Sequence, residues 1–383
     1  MKQVYFDQAA TSFPKAPGVG EAMASYLTTN GANVNRGTYQ QASLAALTVL
    51  ETRELLAKLF HFTQGAEYVV FTPGCTWGMN MIIQGLLQAG DHVIVSSMEH
   101  NAVMRPLVAM EKQGVSFSRL PASLTGETCA ADMLPLIKEN TKAVIVSHAS
   151  NVSGTILPLA AIAKICQEHH LPLIVDGAQS AGHLDINFAE LGLAALVVPG
   201  HKGLLGPQGI GALVLDKEFA AKLKPVITGG TGSASDSEVQ PNYMPDKFES
   251  GTMNLPGIFG LHKALEFILN TGLATLHTKQ TKLLSYFLQQ LTELSVHVAG
   301  PCDAAKQVGV ISLDFTNIDN ATAAFHLEQD YGLMTRCGLH CAPQAHKTLG
   351  TFPQGTVRFS LGNFTTLEEI DYAVDAIKAI SLL

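Results

Sequence analysis

The sequence is poor in charge and has no excess of positive charge. Charged residues make up 15% of its 383 residues, and 24 Lys and Arg against 32 Asp and Glu give a formal net charge of −8. This balance argues against nucleic acid or an anionic membrane as a main partner. No apolar run approaches the roughly 20 residues that span a bilayer, and the segment from Met1 to Asp7 has no signal-peptide pattern.

The chain also lacks a disulfide framework. Its six cysteines are scattered, at Cys75, Cys129, Cys166, Cys302, Cys337 and Cys341. In a large chain this distribution indicates reduced thiols and a cytoplasmic setting. Hydrophobic residues, by contrast, make up 47% of the sequence, which is typical of a compact globular enzyme.

Short apolar runs alternate with helical patterns along much of the chain. They predict strands over 68–72, 92–96, 143–147, 173–176, 194–198 and 211–215, and helices over 76–87 and 157–168. This alternation implies right-handed βαβ units and a mostly parallel sheet flanked by helices. After a loop over 229–237, helices over 258–270 and 273–294 and a strand over 308–315 indicate a smaller α+β domain. We therefore predict an α/β fold with a large domain over 16–254 and a small domain formed by 1–15 and 255–383.

Lys202 follows the predicted strand 194–198 after a short turn through Pro199 and Gly200. A lysine just past a buried parallel strand lies at the carboxyl edge of the sheet, where open α/β folds build their sites. Partly desolvated there, it can hold a carbonyl cofactor as a Schiff base. A lone lysine is more often a solvated loop residue, so the groups at neighbouring strand ends decide between the two interpretations.

Besides Lys202, four polar residues or turns lie at the end of a predicted strand or shortly after it. Asp176 can pair with a protonated pyridine nitrogen or cap a helix. The turn around Gly74 can receive a phosphate at a helix N-terminus or is an ordinary strand–helix turn. His100 can stack on a planar ring and move protons, and Asn151 can donate to a ring oxygen or a substrate carboxylate, although in isolation such residues are more often structural. Their joint occurrence at strand ends indicates one shared cofactor.

With these segments the chain resembles the class V aminotransferase superfamily of pyridoxal-phosphate enzymes (fold type I) and, within it, the cysteine desulfurases. The matching segments are Phe6 to Thr11, Ala32 to Gly37, Gly74 to Thr76, Glu99 to Asn101, Ser150 to Thr155, Asp176 to Gln179, Gly200 to Lys202, Ser250 to Thr252 and Arg336 to Ala342. The resemblance runs nearly from end to end. Two positions depart from the family's pattern: Pro199 stands where a phosphate-binding serine is common, and Leu339 where a second histidine is common.

The resemblance implies a role for each matching residue. Lys202 would carry pyridoxal 5'-phosphate, Asp176 would pair with its ring nitrogen and Gln179 with its ring oxygen. The full cofactor-binding set would be Gly74, Cys75, Thr76, His100, Asn151, Asp176, Gln179, His201 and Lys202, with Thr252 of the partner subunit in a homodimer. The substrate-binding set would be Asn151 and Arg358, the arginine clamping the substrate carboxylate. The catalytic set would be Lys202, His100 and Cys341.

Cys341 decides which activity the resemblance implies. A desulfurase needs a thiolate that attacks the sulfur of the bound substrate and leaves as a persulfide. Cys341 lies in the matching loop, in the predicted small domain, next to His340. The other interpretations are an inert structural cysteine and a metal site with His340 and His346, whose spacing matches no zinc pattern. We expect no metal.

The sequence therefore predicts a cysteine desulfurase that converts L-cysteine to L-alanine, forms a persulfide on Cys341 and passes the sulfur to an acceptor protein. A selenocysteine lyase or another class V aminotransferase-like enzyme is the first alternative, which a comparison of cysteine and selenocysteine as substrates would separate. A non-catalytic protein on the same fold is the second, which visible absorption of a bound cofactor would exclude.

Overall fold

The computed structural model describes residues 2–34 and 37–382; Asn35 and Arg36 of the matching segment Ala32 to Gly37 lie outside these ranges. The strands are β1 Val4–Tyr5, β2 Val69–Thr72, β3 His92–Ser96, β4 Ser116–Leu120, β5 Thr141–Ser147, β6 Leu173–Asp176, β7 Ala195–Pro199, β8 Gly211–Leu215, β9 Val296–Val298, β10 Val310–Phe315, β11 Leu333–Met334, β12 Arg336–Gly338 and β13 Thr356–Ser360. The α-helices are α1 Val19–Ser25, α2 Gln40–Leu59, α3 Cys75–Leu86, α4 Asn101–Glu111, α5 Leu159–Glu168, α6 Phe188–Leu191, α7 Lys217–Lys222, α8 Leu255–Thr271, α9 Leu273–Leu291, α10 Asn320–Tyr331, α11 Pro343–Thr348 and α12 Leu367–Ser381. Short π- or 3₁₀-helical segments cover Tyr26–Asn30, Ala66–Tyr68 and Ala130–Leu136.

The large sheet has seven strands in the order β2–β8–β7–β6–β5–β3–β4. β3 to β7 pair in parallel, whereas β8 runs antiparallel to both of its neighbours, β2 and β7. β2 therefore runs in the same direction as β7. As a result, the carboxyl ends of β2, β3, β5, β6 and β7 all lie along one edge of the sheet, called the carboxyl edge below.

Both faces of this sheet are buried. In β5, Val144 and Val146 face a core shared with α2, α5 and α8, whereas Ala143 and Ile145 face a core shared with α3, α4 and α7. Strands buried on both faces need apolar residues at nearly every position, which is why the apolar runs were visible in the sequence. Among the described residues, no helix is long and apolar enough to cross a membrane.

A second, antiparallel sheet has the order β12–β13–β10–β9, and β1 pairs in parallel with β11. Helices α9, α10 and α12 pack on these strands around a separate core that includes Phe287 and Phe359. The division into 16–254 and 1–15 with 255–383 stays a prediction. Because α8 packs into the core of the large sheet, we propose that this helix belongs with the large domain.

The predicted α/β class, with a mostly parallel large sheet and a smaller α+β part, is confirmed. The predicted strands and helices are present, with ends shifted by at most three residues. The sequence analysis did not predict β4, whose residues Ser116–Arg119 remain partly or fully exposed while Leu120 is buried. A polar strand at the end of a sheet carries little of the apolar pattern on which such predictions depend.

An ion pair between Arg53 of α2 and Glu249 fastens the chain ahead of Ser250–Thr252 to β2. The two side chains are 7% and 10% exposed and meet through two bonds of 2.7 Å. Glu249 Oε1 also accepts the backbone N–H of Phe71 at 2.6 Å, and the Arg53 guanidinium lies 4.5 Å from the Phe71 ring centroid. These contacts anchor Glu249, and with it the segment that leads to Thr252, beside β2 of the large sheet.

Replacing Glu249 with alanine should destabilise the fold strongly. The Glu249→Ala variant leaves the buried Arg53 without its counter-charge, and removing one partner of a buried pair costs about 3–5 kcal/mol. We expect a matching loss in the free energy of unfolding measured in urea. Lys263→Ala is the control, because its pair with Glu266 also measures 2.7 Å but is 47% and 39% exposed, where ion pairs contribute little. An equal loss of unfolding free energy in Glu249→Ala and Lys263→Ala would contradict the prediction.

Candidate active site

Loops that follow β2, β3, β6 and β7 enclose a cavity of about 330 Å³ at the carboxyl edge. Its lining residues are Pro73, Gly74, Cys75, Thr76, Trp77, His100, Ala102, Asp176, Ala178, Pro199, His201 and Lys202. The parallel strand pairing brings these residues together although they span 130 positions of the sequence, from 73 to 202. Seven of them belong to the predicted cofactor-binding set.

Lys202 lies in this cavity. Gly200 allows the turn that leads to it, because a Cβ at this position would lie 2.8 Å from the carbonyl oxygen of Ile210. Burial lowers the pKa of Lys202, while the nearby Asp176 carboxylate acts in the opposite direction. The lysine is therefore not a solvated loop residue, and it reaches its neutral, nucleophilic form at a lower pH than a lysine in water.

Asp176 ends β6 and is 2% exposed. Its Oδ1 accepts the backbone N–H of Ala178 at 2.9 Å and the thiol of Cys75 at 3.2 Å. Among the described residues, its Oδ2 has no hydrogen-bond partner. The interpretation as a helix N-cap is wrong, because a turn and not an α-helix follows.

The turn from β2 into α3 has the features of an anion site. Gly74 is the N-cap residue of α3 with φ 154°, and a Cβ built on it would meet nothing within 4 Å. As the first residues of the helix, Cys75 and Thr76 have backbone amides without a carbonyl of the helix to bind. His201 adds a buried Nδ1 that has no partner among the described residues. Oriented donors of this kind favour a phosphate.

His100 is the N-cap residue of α4, a role that the sequence analysis did not predict. Its Nδ1 accepts the backbone N–H of Ala102 at 2.9 Å, so the neutral ring carries its proton on Nε2. Burial, followed by the charge of Lys202, lowers the pKa of His100 to about 4. The imidazole lining the cavity is therefore neutral at physiological pH.

Cys341 is exposed, unlike the small buried hydrophobe that a structural cysteine usually is. Its loop is tied to the carboxyl edge by two hydrogen bonds. The backbone N–H of Asn101 donates to the Cys341 carbonyl at 2.8 Å, and Asn151 Nδ2 donates to the His340 carbonyl at 2.6 Å. Burial lowers the pKa of both Lys202 and Arg358, and Cys341 lies near enough to both to oppose that shift slightly.

Arg358 of β13 is 3% exposed and bonds to the Asn151 carbonyl through Nη1 and to Asp7 Oδ1 through Nη2, both at 3.0 Å. Asp7 also accepts from Arg336, with a shortest distance of 2.8 Å. The sequence analysis missed this pairing of Asp7 with two arginines. Asp7 and Arg336 lay within segments carrying the resemblance, but nothing in their spacing linked residues 329 positions apart.

Three residues of the predicted cofactor-binding set lie outside the cavity lining: Asn151, whose side chain bonds to the cysteine loop, Gln179 and Thr252. Gln179 is 4% exposed, and its Nε2 donates to the Ala9 carbonyl at 3.0 Å. Thr252 is exposed and lines a second cavity of about 200 Å³, which shares Pro73 and Trp77 with the first. Their roles toward a cofactor stay predictions.

Comparison with known proteins gives a consistent result. A model of the aminotransferase class-V family matches residues 4–373. A probable cysteine desulfurase of Halalkalibacterium halodurans is 34% identical over 376 residues, 96% of this chain and 90% of the relative. The cysteine desulfurase IscS of Dictyoglomus turgidum is 29% identical over 394 residues, 99% of this chain and 94% of the relative.

Solved structures agree with the sequence comparison. The apo structure of cysteine desulfurase from Thermococcus onnurineus NA1 has a TM-score of 0.93 and 31% identity, covering 99% of this chain and 95% of that one. The cysteine desulfurase CsdA from Escherichia coli has a TM-score of 0.87 and 27% identity, covering 99% and 94%. The similarity therefore includes both sheets and the cysteine loop.

Three buried histidines are kept neutral near the site: His148 after β5, and His340 and His346 on either side of Cys341. Burial lowers the pKa of His148 and His346 to about 4, and burial with the nearby Arg358 lowers that of His340 to about 2. His340 and His346 bond to threonine hydroxyls, at 3.1 and 2.7 Å. Among the described residues, no group of three His, Cys, Asp or Glu side chains is arranged to hold a metal ion.

The His346→Asn variant should flatten the pH dependence of stability between about pH 4 and 6.5. An unfolded histidine titrates with a pKa near 6.5, whereas folded His346 stays neutral down to about pH 4. The unfolded state therefore binds one more proton in this window, and stability is lost as the pH falls. Removing the histidine should reduce the slope of the unfolding free energy by up to about 1.4 kcal/mol per pH unit.

The measurement is urea unfolding at several pH values, compared between variants. Comparison is needed because other groups titrate in the same window. Burial raises the pKa of Glu99 to about 7, so this carboxyl group makes stability fall as the pH rises. In the wild type its effect on the slope is opposite to that of the buried histidines. His169→Asn, at an exposed position, should keep the wild-type slope. An unchanged slope in His346→Asn would refute the assignment of a buried neutral histidine.

Proposed function

Because the chain belongs to the aminotransferase class-V family, we propose that it is a pyridoxal-phosphate-dependent cysteine desulfurase. It converts L-cysteine to L-alanine, and the substrate sulfur joins the Cys341 thiol as a persulfide. The observation that carries the proposal is an exposed thiol held at the carboxyl edge near Lys202. The relatives described above, named as cysteine desulfurases, support this activity over a selenocysteine lyase.

The residues of the cavity fit pyridoxal 5'-phosphate. The cofactor would supply an electron sink for bonds at the substrate's α-carbon. Lys202 would attach it, Asp176 Oδ2 would accept from its ring nitrogen, and the α3 N-terminus with His201 Nδ1 would hold its phosphate. Pro199 has no hydroxyl to add to this set, which places more of the phosphate binding on the helix N-terminus.

Gln179 and His100 would contact the ring. Gln179 would exchange its bond to the Ala9 carbonyl for one to the ring oxygen. His100, with Nδ1 occupied by Ala102, would stack on the ring and exchange a proton at Nε2.

Arg358 would bind the substrate carboxylate through its planar guanidinium. In the free protein its ion pair with Asp7 compensates a charge that would otherwise be buried alone, at a cost of several kcal/mol. Asn151 contributes twice, because its carbonyl orients Arg358 and its side chain fixes the cysteine loop. Substrate and nucleophile are thus positioned by the same residue.

We propose a homodimer in which Thr252 of the partner subunit completes the phosphate site. Thr252 is exposed, lies beside the exposed Trp77, and lines a cavity adjoining that of Lys202. The exposure of Cys341 suits transfer of its sulfur to an acceptor protein. The six free thiols support a cytoplasmic location.

Cys341→Ser should separate cofactor binding from sulfur transfer. The variant keeps Lys202, Asp176 and Arg358 and should bind pyridoxal phosphate and cysteine, but a serine hydroxyl is a far poorer nucleophile at neutral pH. We expect alanine formation from cysteine to fall at least about 100-fold and protein persulfide to be absent by mass spectrometry. Activity with selenocysteine should persist better, since selenium leaves more readily. Cys129→Ser, at another exposed cysteine, is the control; a wild-type rate in Cys341→Ser would leave only a class V enzyme of another activity.

Lys202→Ala should remove turnover and the visible absorption of covalently bound cofactor. Among the cavity-lining residues, Lys202 alone carries an amine side chain. Lys247→Met is the matched control, because Lys247 is also buried but donates to the Ala220 carbonyl away from the cavity. If Lys202→Ala kept the wild-type spectrum, another residue would have to attach the cofactor.

A further inference from the structure

The side chain of Cys75 has no part in the function proposed above, in which only its backbone amide faces the phosphate. Its thiol is buried, at 9% exposure, and its Sγ lies 3.2 Å from Asp176 Oδ1 and 3.3 Å from the Val197 carbonyl oxygen. A thiol has a single hydrogen to donate. The carboxylate is the better acceptor because hydrogen bonds to charged groups are the stronger ones.

The contact affects how the Asp176 carboxylate is oriented. Oδ1 receives two donors from different elements, the Ala178 N–H from its own turn and the Cys75 S–H from the start of α3. With Oδ1 held on both sides, rotation of the carboxylate is restricted. Oδ2, without a partner among the described residues, is left for a donor in the cavity.

Cys75 is unsuited to act as a second sulfur nucleophile. Burial, the charge of Asp176 and the hydrogen bond to it raise the pKa of this thiol well above its ordinary value. Attack on sulfur requires a thiolate, so Cys75 keeps its proton and remains a donor.

We propose that Cys75 is a positioning residue: its thiol holds Asp176 with Oδ2 directed at the ring nitrogen of the cofactor. This rests on the proposed function, since it assumes that the cavity binds pyridoxal phosphate. Losing the contact leaves Oδ1 with the Ala178 N–H as its one donor among the described residues, which lets the carboxylate turn and weakens the bond to the ring nitrogen. Substrate binding at Arg358 does not depend on the contact.

The test compares Cys75→Ala and Cys75→Ser with Cys166→Ala, which changes another buried free cysteine in α5, outside the cavity. Apo protein is titrated with pyridoxal phosphate labelled with ¹⁵N in its ring, and the dissociation constant and the ring-nitrogen chemical shift are recorded. For Cys75→Ala we expect about tenfold weaker binding, the size of one lost hydrogen bond to a charged group, and a shift of the ¹⁵N signal toward the unprotonated position. With cysteine as substrate, kcat should fall while KM stays near the wild-type value.

Cys75→Ser should restore much of the binding and of the ¹⁵N shift, because its hydroxyl can donate to Oδ1. Unfolding in urea shows whether a variant is folded. Cys166→Ala should match the wild type in cofactor affinity, ¹⁵N shift, kcat and KM, although truncation of this buried side chain costs some stability. A wild-type ¹⁵N shift and affinity in folded Cys75→Ala would overturn the positioning role alone. Failure of the wild-type protein to bind pyridoxal phosphate would overturn the proposed function and this inference with it.

Discussion

The site depends on one constraint, that parallel strands end at the same edge of their sheet. This brings the ends of β2, β3, β6 and β7 to one cavity while both faces of the sheet stay buried. At this edge the backbones of β7, β8 and the β2–α3 turn lie close together. The antiparallel β8 fits between them because it begins with Gly211, where a Cβ would lie 2.5 Å from the Val198 carbonyl oxygen and 3.1 Å from Gly74 Cα. Glycines at this edge therefore allow the turn from β2 into α3 to approach the strand that leads to Lys202.

Burial sets the charge state of the carboxyl edge. Lys202 and Arg358 bring two cations into a buried region, where the carboxylates of Asp176 and Asp7 oppose them. Charged imidazoles would add like charges to this set, and the positive charges of Lys202 and Arg358 lower the pKa values of His100 and His340 beyond the effect of burial. Neutral histidines leave the cations free to act on anionic groups of a ligand.

The position of the thiol is a product of packing between the two sheets. His340 and Cys341 both have left-handed backbone conformations, with φ 47° and 57°, which cost non-glycine residues roughly 1–2 kcal/mol each. Such a conformation persists where the surroundings impose it, and here the bonds from Asn101 and Asn151 to the two carbonyls do so. The Cys341 thiol is therefore held against loops of the large sheet, although its chain segment belongs with the small sheet.

The strand ends and motifs predicted from the sequence located the cavity, because buried strands carry an apolar pattern and polar residues follow them directly. The direction of individual side chains was not predictable in the same way. Gln179 bonds to Ala9, and Cys75 to Asp176, because acceptors 170 and 101 positions away in the chain compete for donors whose local sequence does not choose among them. A sequence pattern can place a polar residue at a strand end, but only the packing of neighbouring loops decides which atom of it stays free for a ligand.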